Sequence, residues 1–236
     1  MDLTNRNILV FDIETIGYSL DEFPEEIRTY LTREASNQAE LDEIVRQFVF
    51  NPLTSKIAAI GMMGNRDEKG CILVNTGNQF EFNKKYTDFN YVNGTEESII
   101  KTFWDTLNAK KYNLFVTFNG REFDCPFLML RSLYYRIKPT VNLMKGSDFT
   151  FKEYHIDLLK EFTFNTHSGR GARRKFTLDF YCRTFGIDSP KKDGITGDLV
   201  ADLYAQKKFQ EIADYCIGDV IAENRLFNYW NEYFNL

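Results

Sequence analysis

Apolar residues run without alternation through Ile8-Leu9-Val10-Phe11, so both faces of the strand they predict need covering. The even face then changes character, from Ile8 and Val10 to Asp12 and Glu14. A second apolar run, residues 56–63, stops at Gly64-Asn65, and a third occupies residues 71–75; the short link makes them an antiparallel pair. Residues 113–118 predict a fourth buried strand and residues 154–158 a short fifth. Helical spacing governs the rest. Thr95 opens a helix whose stripe is Ile99, Ile100, Phe103, Trp104 and Leu107. Further helices are expected from Phe127 to about Arg136, from Phe176 to Gly186, from Thr196 to Lys207 and from Phe209 to Tyr233. Residues 77–94 are polar and aromatic and match neither period. Residues 20–50 are helical and charged, with Pro24 at a helix start. This stretch reads as a surface excursion or as a cover beside the carboxylate strand. Residues 189–194 read as a loop. Strands separated by helices, with one antiparallel pair, predict an α/β fold: a mixed five-stranded sheet flanked by helices, in one domain spanning residues 1–236.

The 236 residues carry 29 Lys and Arg against 34 Asp and Glu, a net charge of −5, so the chain does not advertise a basic nucleic-acid-binding domain. A local basic groove would still suffice. Cys71, Cys125, Cys182 and Cys216 have no ligand spacing and read as reduced thiols, which suits the cytoplasm. No apolar run approaches the length of a membrane span, and no leader precedes the first strand, so no membrane partner is expected.

Asp12 and Glu14 end a buried strand, where α/β sheets place ligands. Adjacent carboxylates repel when desolvated, and a hard cation such as Mg²⁺ or Mn²⁺ removes that cost. Asp124 falls at a strand-to-helix junction, where it either caps the helix or joins the pair. Tyr215 and Asp219 lie four apart on the apolar stripe of the last helix. Asp219 there requires a partner, either a shared cation or an arginine such as Arg225 or Arg131, or else a position at the solvent edge. Four carboxylates at one strand end would hold two divalent ions, bridged best by Asp12. Arg170, Arg173, Arg174 and Lys175 sit among glycines, either tracking a phosphate backbone or forming a solvated loop. Asn119 makes a turn with Gly120 or orients the segment after it. Phe123 joins the core. His155 reads as structural and His167 as a loop residue.

Three motifs carry a resemblance: Phe11-Asp12-Ile13-Glu14-Thr15, Phe118-Asn119-Gly120-Arg121-Glu122-Phe123-Asp124 and Tyr215-Cys216-Ile217-Gly218-Asp219-Val220. Together they resemble the DEDD superfamily of 3′–5′ exonucleases, which has a ribonuclease-H-like fold. Tyrosine four before the final aspartate marks the DEDDy branch; the DEDDh branch has histidine five before it, where this chain has Asp214. More closely, the chain resembles predicted stand-alone exonucleases related to the proofreading domain of family B DNA polymerases. His155-Ile156-Asp157-Leu158, Thr177-Leu178-Asp179 and Gly186-Ile187-Asp188-Ser189-Pro190-Lys191 look like that group's intervening segments. Residues 19–50 fall outside the likeness, as a helical insertion. The resemblance implies a metal-dependent exonuclease that releases mononucleotides from the 3′ end of single-stranded DNA, with RNA as the alternative strand. Asp12, Glu14 and Asp219 would hold the ion that activates water, and Asp12 and Asp124 the ion at the leaving oxygen. Tyr215 would orient the water, and Phe123, unless it only joins the core, would stack on a terminal base. A silent nucleic-acid-binding module is a further alternative. A role in proofreading or repair would need a separate polymerase or repair partner.

Overall fold

The computed structural model describes residues 1–147, 150–166, 168–188 and 199–235. Its centre is a sheet of six strands: β1 (Ile8–Gly17), β2 (Ser55–Gly64), β3 (Gly70–Asn75), β4 (Phe89–Gly94), β5 (Leu114–Thr117) and β6 (His155–Asp157). Their order is β4-β3-β2-β1-β5-β6. β2 runs antiparallel to β1 and to β3, whereas β5 is parallel to β1 and β6 to β5. The C-terminal ends of β1, β5 and β6 therefore share one edge of the molecule.

The expected five strands become six. β4 lies in the stretch 77–94 that matched neither period, and it pairs parallel with β3 from Gly70↔Phe89 to Asn75↔Gly94. It is an edge strand with only Phe89 fully buried, so its exposed and half-buried positions take Asn and Tyr, and no apolar alternation survives.

β1 is covered on both sides, as its unbroken apolar run demands. Ile8, Val10 and Ile16 pack in one cluster with Ile217, Val220, Leu226 and Trp230 of α8 (Phe209–Tyr233). Leu9, Phe11 and Ile13 pack in another with α3 (Glu96–Lys110) and α4 (Asp124–Tyr134). Thr95 caps α3, its hydroxyl accepting the Ser98 N–H. α1 (Glu25–Thr32) and α2 (Gln38–Gln47) fill the charged stretch between β1 and β2 and bury no residue fully. Pro24 stands one position before α1. α5 (Leu158–Phe162), α6 (Leu178–Thr184) and α7 (Val200–Ala205) complete the described helices. Residues 189–194, Thr196 and His167 lie outside the described residues.

One glycine sets how close α8 comes to the sheet. Gly61 pairs with Asp12 across the β1–β2 ladder. A Cβ there would come within 2.7 Å of Val220 and 2.9 Å of Cys216 Sγ, so the helix seats directly on the strand beside the acidic residue.

Candidate active site

β1 delivers Asp12 and Glu14 to the edge where β5 and β6 also end, Glu14 nearly buried and Asp12 partly open. Oxygen atoms of both and Cys216 Sγ lie within 4.8 Å of one another. The chain leaving β5 turns through Asn119, which adopts a left-handed φ of 69°, and enters α4 at Asp124. Asp124 is 2% exposed. Its Oδ1 accepts the backbone N–H of Ile13 at 3.0 Å, between the two β1 carboxylates. The helix-start position is thus combined with a cross-link to β1. α8 carries Tyr215 and Asp219 against the same place, with the Tyr215 hydroxyl close enough to Asp219, Glu14 and Asp12 to feel all three. The arginine partners open to Asp219 are engaged elsewhere: Arg131 pairs with Glu96 at 2.7 Å and Arg225 with Asp188 at 3.6 Å.

The electrostatics follow from this convergence. Burial pushes the Asp12 carboxyl well above its usual range, and Asp124, Glu14, Glu223 and Asp219 push it further. Asp124 is raised to about 7, mainly by burial, against the lowering effect of its backbone hydrogen bonds. Burial, then Asp219, Glu14 and Asp12, lift the Tyr215 hydroxyl far above 10, so it is neutral at pH 7. Cys216 is likewise pushed up, by burial first, and stays a thiol rather than a thiolate ligand. The charged groups acting most on Asp12 are all acids. A set of carboxylate oxygens, buried except for the partly open Asp12, with a neutral thiol fits a hard divalent cation better than a thiolate-loving one.

Glu223, one turn beyond Asp219 and 1% exposed, belongs to the same cluster. The spacing Tyr215, Asp219, Glu223 was the available signal. Asp157 is a second buried acid nearby, accepting the N–H groups of Asn119 and Arg121 at 3.0 Å each. His155 is fully buried between Thr117 Oγ1 (2.8 Å) and Cys125 Sγ (3.6 Å), and burial drops its pKa to about 3.

Beside Glu14 opens a cavity of about 680 Å³. Its inner wall is β1 and Tyr18, and its outer wall comes from α2 and the residues after it, including Arg46, Val49 and Phe50. Phe123 joins the lining, edge-on to Phe50 at 6.4 Å and tilted against Phe127 at 5.0 Å, so it serves pocket and core together. Arg170, Arg173, Arg174 and Lys175 are all exposed and lie away from the carboxylates in sequence, before α6. Arg174 sits 4.9 Å over the Phe176 ring, which stacks on Phe180 at 4.2 Å.

A mixed sheet with helices on both faces and acids at one strand edge defines a ribonuclease-H-like fold. Residues 47–231 match the family described as predicted 3′–5′ exonucleases related to the exonuclease domain of PolB, and the chain belongs to that family. The match covers Asp124, Tyr215 and Asp219 and begins after β1. An uncharacterized protein of Methanocaldococcus jannaschii, MJ0365, is 31% identical over 167 residues, 70% of this chain and 74% of that protein. Among solved structures, the family B DNA polymerase of the hyperthermophilic archaeon Pyrobaculum calidifontis superposes with a TM-score of 0.58 at 15% identity. That likeness covers 96% of this chain, which spans only 24% of the polymerase chain. Among the described residues no helix is long and apolar enough to cross a membrane.

Proposed function

We propose that the protein is a metal-dependent 3′–5′ exonuclease of the DEDDy kind, removing mononucleotides from single-stranded DNA. The convergence of Asp12, Glu14, Asp124 and Asp219, with Tyr215 beside Asp219, Glu14 and Asp12, carries this reading. Asp12, Glu14 and Asp219 would hold one Mg²⁺ or Mn²⁺, and Asp12 and Asp124 a second. Such a pair, when bound, stabilises the attacking and leaving oxygens of displacement at phosphorus. Tyr215, kept neutral, positions the attacking water rather than taking its proton. The cavity beside Glu14 is of nucleotide size and partly aromatic, which supports a seat for the strand's last residue. Residues 19–50 act as an insertion that builds its outer wall. Arg170, Arg173, Arg174 and Lys175 follow the phosphates further along the strand, and Asn119 shapes the turn that presents Asp124.

The test is a time course on 5′-labelled single-stranded DNA with Mn²⁺, Mg²⁺ or EDTA, and matched RNA alongside. A ladder shortening from the 3′ end, lost with EDTA and in Asp12→Ala and Asp219→Ala, is expected. Undiminished cleavage in either folded variant overturns the assignment. Degradation of RNA alone moves the substrate, and strand binding without turnover makes the chain a binding module.

A further inference from the structure

Glu223 is buried to 99% in the middle of α8 and makes a hydrogen bond that no other group on that helix makes to β5's end: its Oε1 accepts the N–H of Phe118 at 3.1 Å. Its other oxygen, Oε2, is buried with no hydrogen-bond partner among the described residues. A buried carboxylate with one oxygen unused is costly. Its charged surroundings increase the cost, because Asp124, Asp219 and Asp157 are the acids that act on it. A leucine would fill the space at no electrostatic cost, so packing alone does not account for the residue.

What Glu223 holds is the turn that presents Asp124. Four successive amides of that turn are accepted by side chains: Phe118 N–H by Glu223, Asn119 and Arg121 N–H by Asp157, and Gly120 N–H by Thr117 Oγ1. Thr117 and Asp157 belong to the neighbouring parallel strands β5 and β6. Glu223 is the acceptor supplied by α8, the helix that also carries Tyr215 and Asp219. One bond therefore ties the turn bearing Asp124 to the helix bearing Asp219. Groups hydrogen-bonded directly to metal ligands change metal affinity by about 10–100-fold when removed, and Glu223 acts one step further out, through the turn, so the low end of that range applies.

We propose that Glu223 is a positioning residue for the acidic set, fixing the turn of Asp124 relative to Asp219 through its bond to the Phe118 amide. The inference rests on the metal-dependent reading above. Its test is a calorimetric titration of the purified full chain with Mn²⁺ and no nucleic acid, comparing wild type, Glu223→Gln and Glu223→Leu. Gln retains an oxygen that accepts the Phe118 N–H; Leu fills the volume and accepts nothing. Gln is expected to bind Mn²⁺ within about threefold of wild type, and Leu to weaken binding by about tenfold or more. The Mn²⁺ concentration for half-maximal DNA cleavage should move in parallel with that affinity. Thermal unfolding without metal should show Leu at least as stable as wild type, which separates misplacement from unfolding. Equal Mn²⁺ affinity in Leu and wild type overturns the inference. So does an equal loss in Gln and Leu, which would assign the effect to charge. A wild-type chain that binds no Mn²⁺ overturns it too. Mn²⁺ binding without cleavage of DNA or RNA instead defeats the exonuclease reading, while the order of the three affinities still decides the role of Glu223.

Discussion

Asp124 records the cost of the acidic cluster most directly. Its carboxyl titrates near 7 in the folded chain against an ordinary value of 3.8. Between those values the folded state holds a proton that the unfolded state has lost, so this group's contribution to stability falls as pH rises from about 4 to about 7. Asp124→Asn removes that dependence and keeps an oxygen for the Ile13 amide. In EDTA, the stability gained by Asp124→Asn over wild type should be near zero at pH 4 and grow to the order of a few kcal/mol by pH 7.5. Urea unfolding across that range checks it, and Mn²⁺ should shrink the difference at high pH by stabilising the wild type. A flat difference across pH would mean that Asp124 titrates normally.

At the scale of elements, the segment between β1 and β2 is fastened by one guanidinium. Arg131, on α4, donates to the Tyr18 hydroxyl (2.8 Å) where the segment begins and to the Pro52 carbonyl (3.0 Å) where it ends. It also grips Glu96 through two bonds of 2.7 Å, and Glu96 in turn accepts the Ile57 amide and the Tyr135 hydroxyl. Arg131→Met should cost about 3–5 kcal/mol, since it strands a buried carboxylate; guanidinium unfolding measures it. Double replacement with Glu96→Gln should recover part of the loss. Such a network is not legible in sequence, where Arg131 and Glu96 are ordinary charged helix residues. β1, the β2–β3 pair and α8 were legible, because continuous apolar runs and a 3.6-residue stripe survive wherever burial is complete. β4 was not, because an edge strand needs no apolar alternation. The acids on β1 and α8 stood out because carboxylates interrupt apolar faces. Glu223 interrupts one too, but its role depends on Phe118, a residue distant in sequence.

For the molecule as a whole, the cavity beside Glu14 has one wall from the sheet and one from residues 43–50. Phe50 in that outer wall is 60% exposed, so little stability depends on it. Phe50→Ala should leave the melting temperature within a degree or two and raise KM for a single-stranded end by about tenfold, the worth of one aromatic stack. A 3′-terminal 2-aminopurine, whose fluorescence falls on stacking, reads the contact directly in EDTA. Unchanged quenching in the variant would remove Phe50 from the strand's path. The fastening at Tyr18 and Pro52 has another consequence. The Tyr18 amide donates to the Thr54 carbonyl at 2.9 Å, so the chain leaves the core and returns to it at nearly one point. A detour that closes on itself adds little to the folding of what it leaves behind. Residues 19–50 form a detour whose two ends meet and in which Phe48 alone is buried. A chain with them replaced by a short glycine linker should fold cooperatively around the same sheet, keep its Mn²⁺ affinity, and lose its grip on the end of the strand.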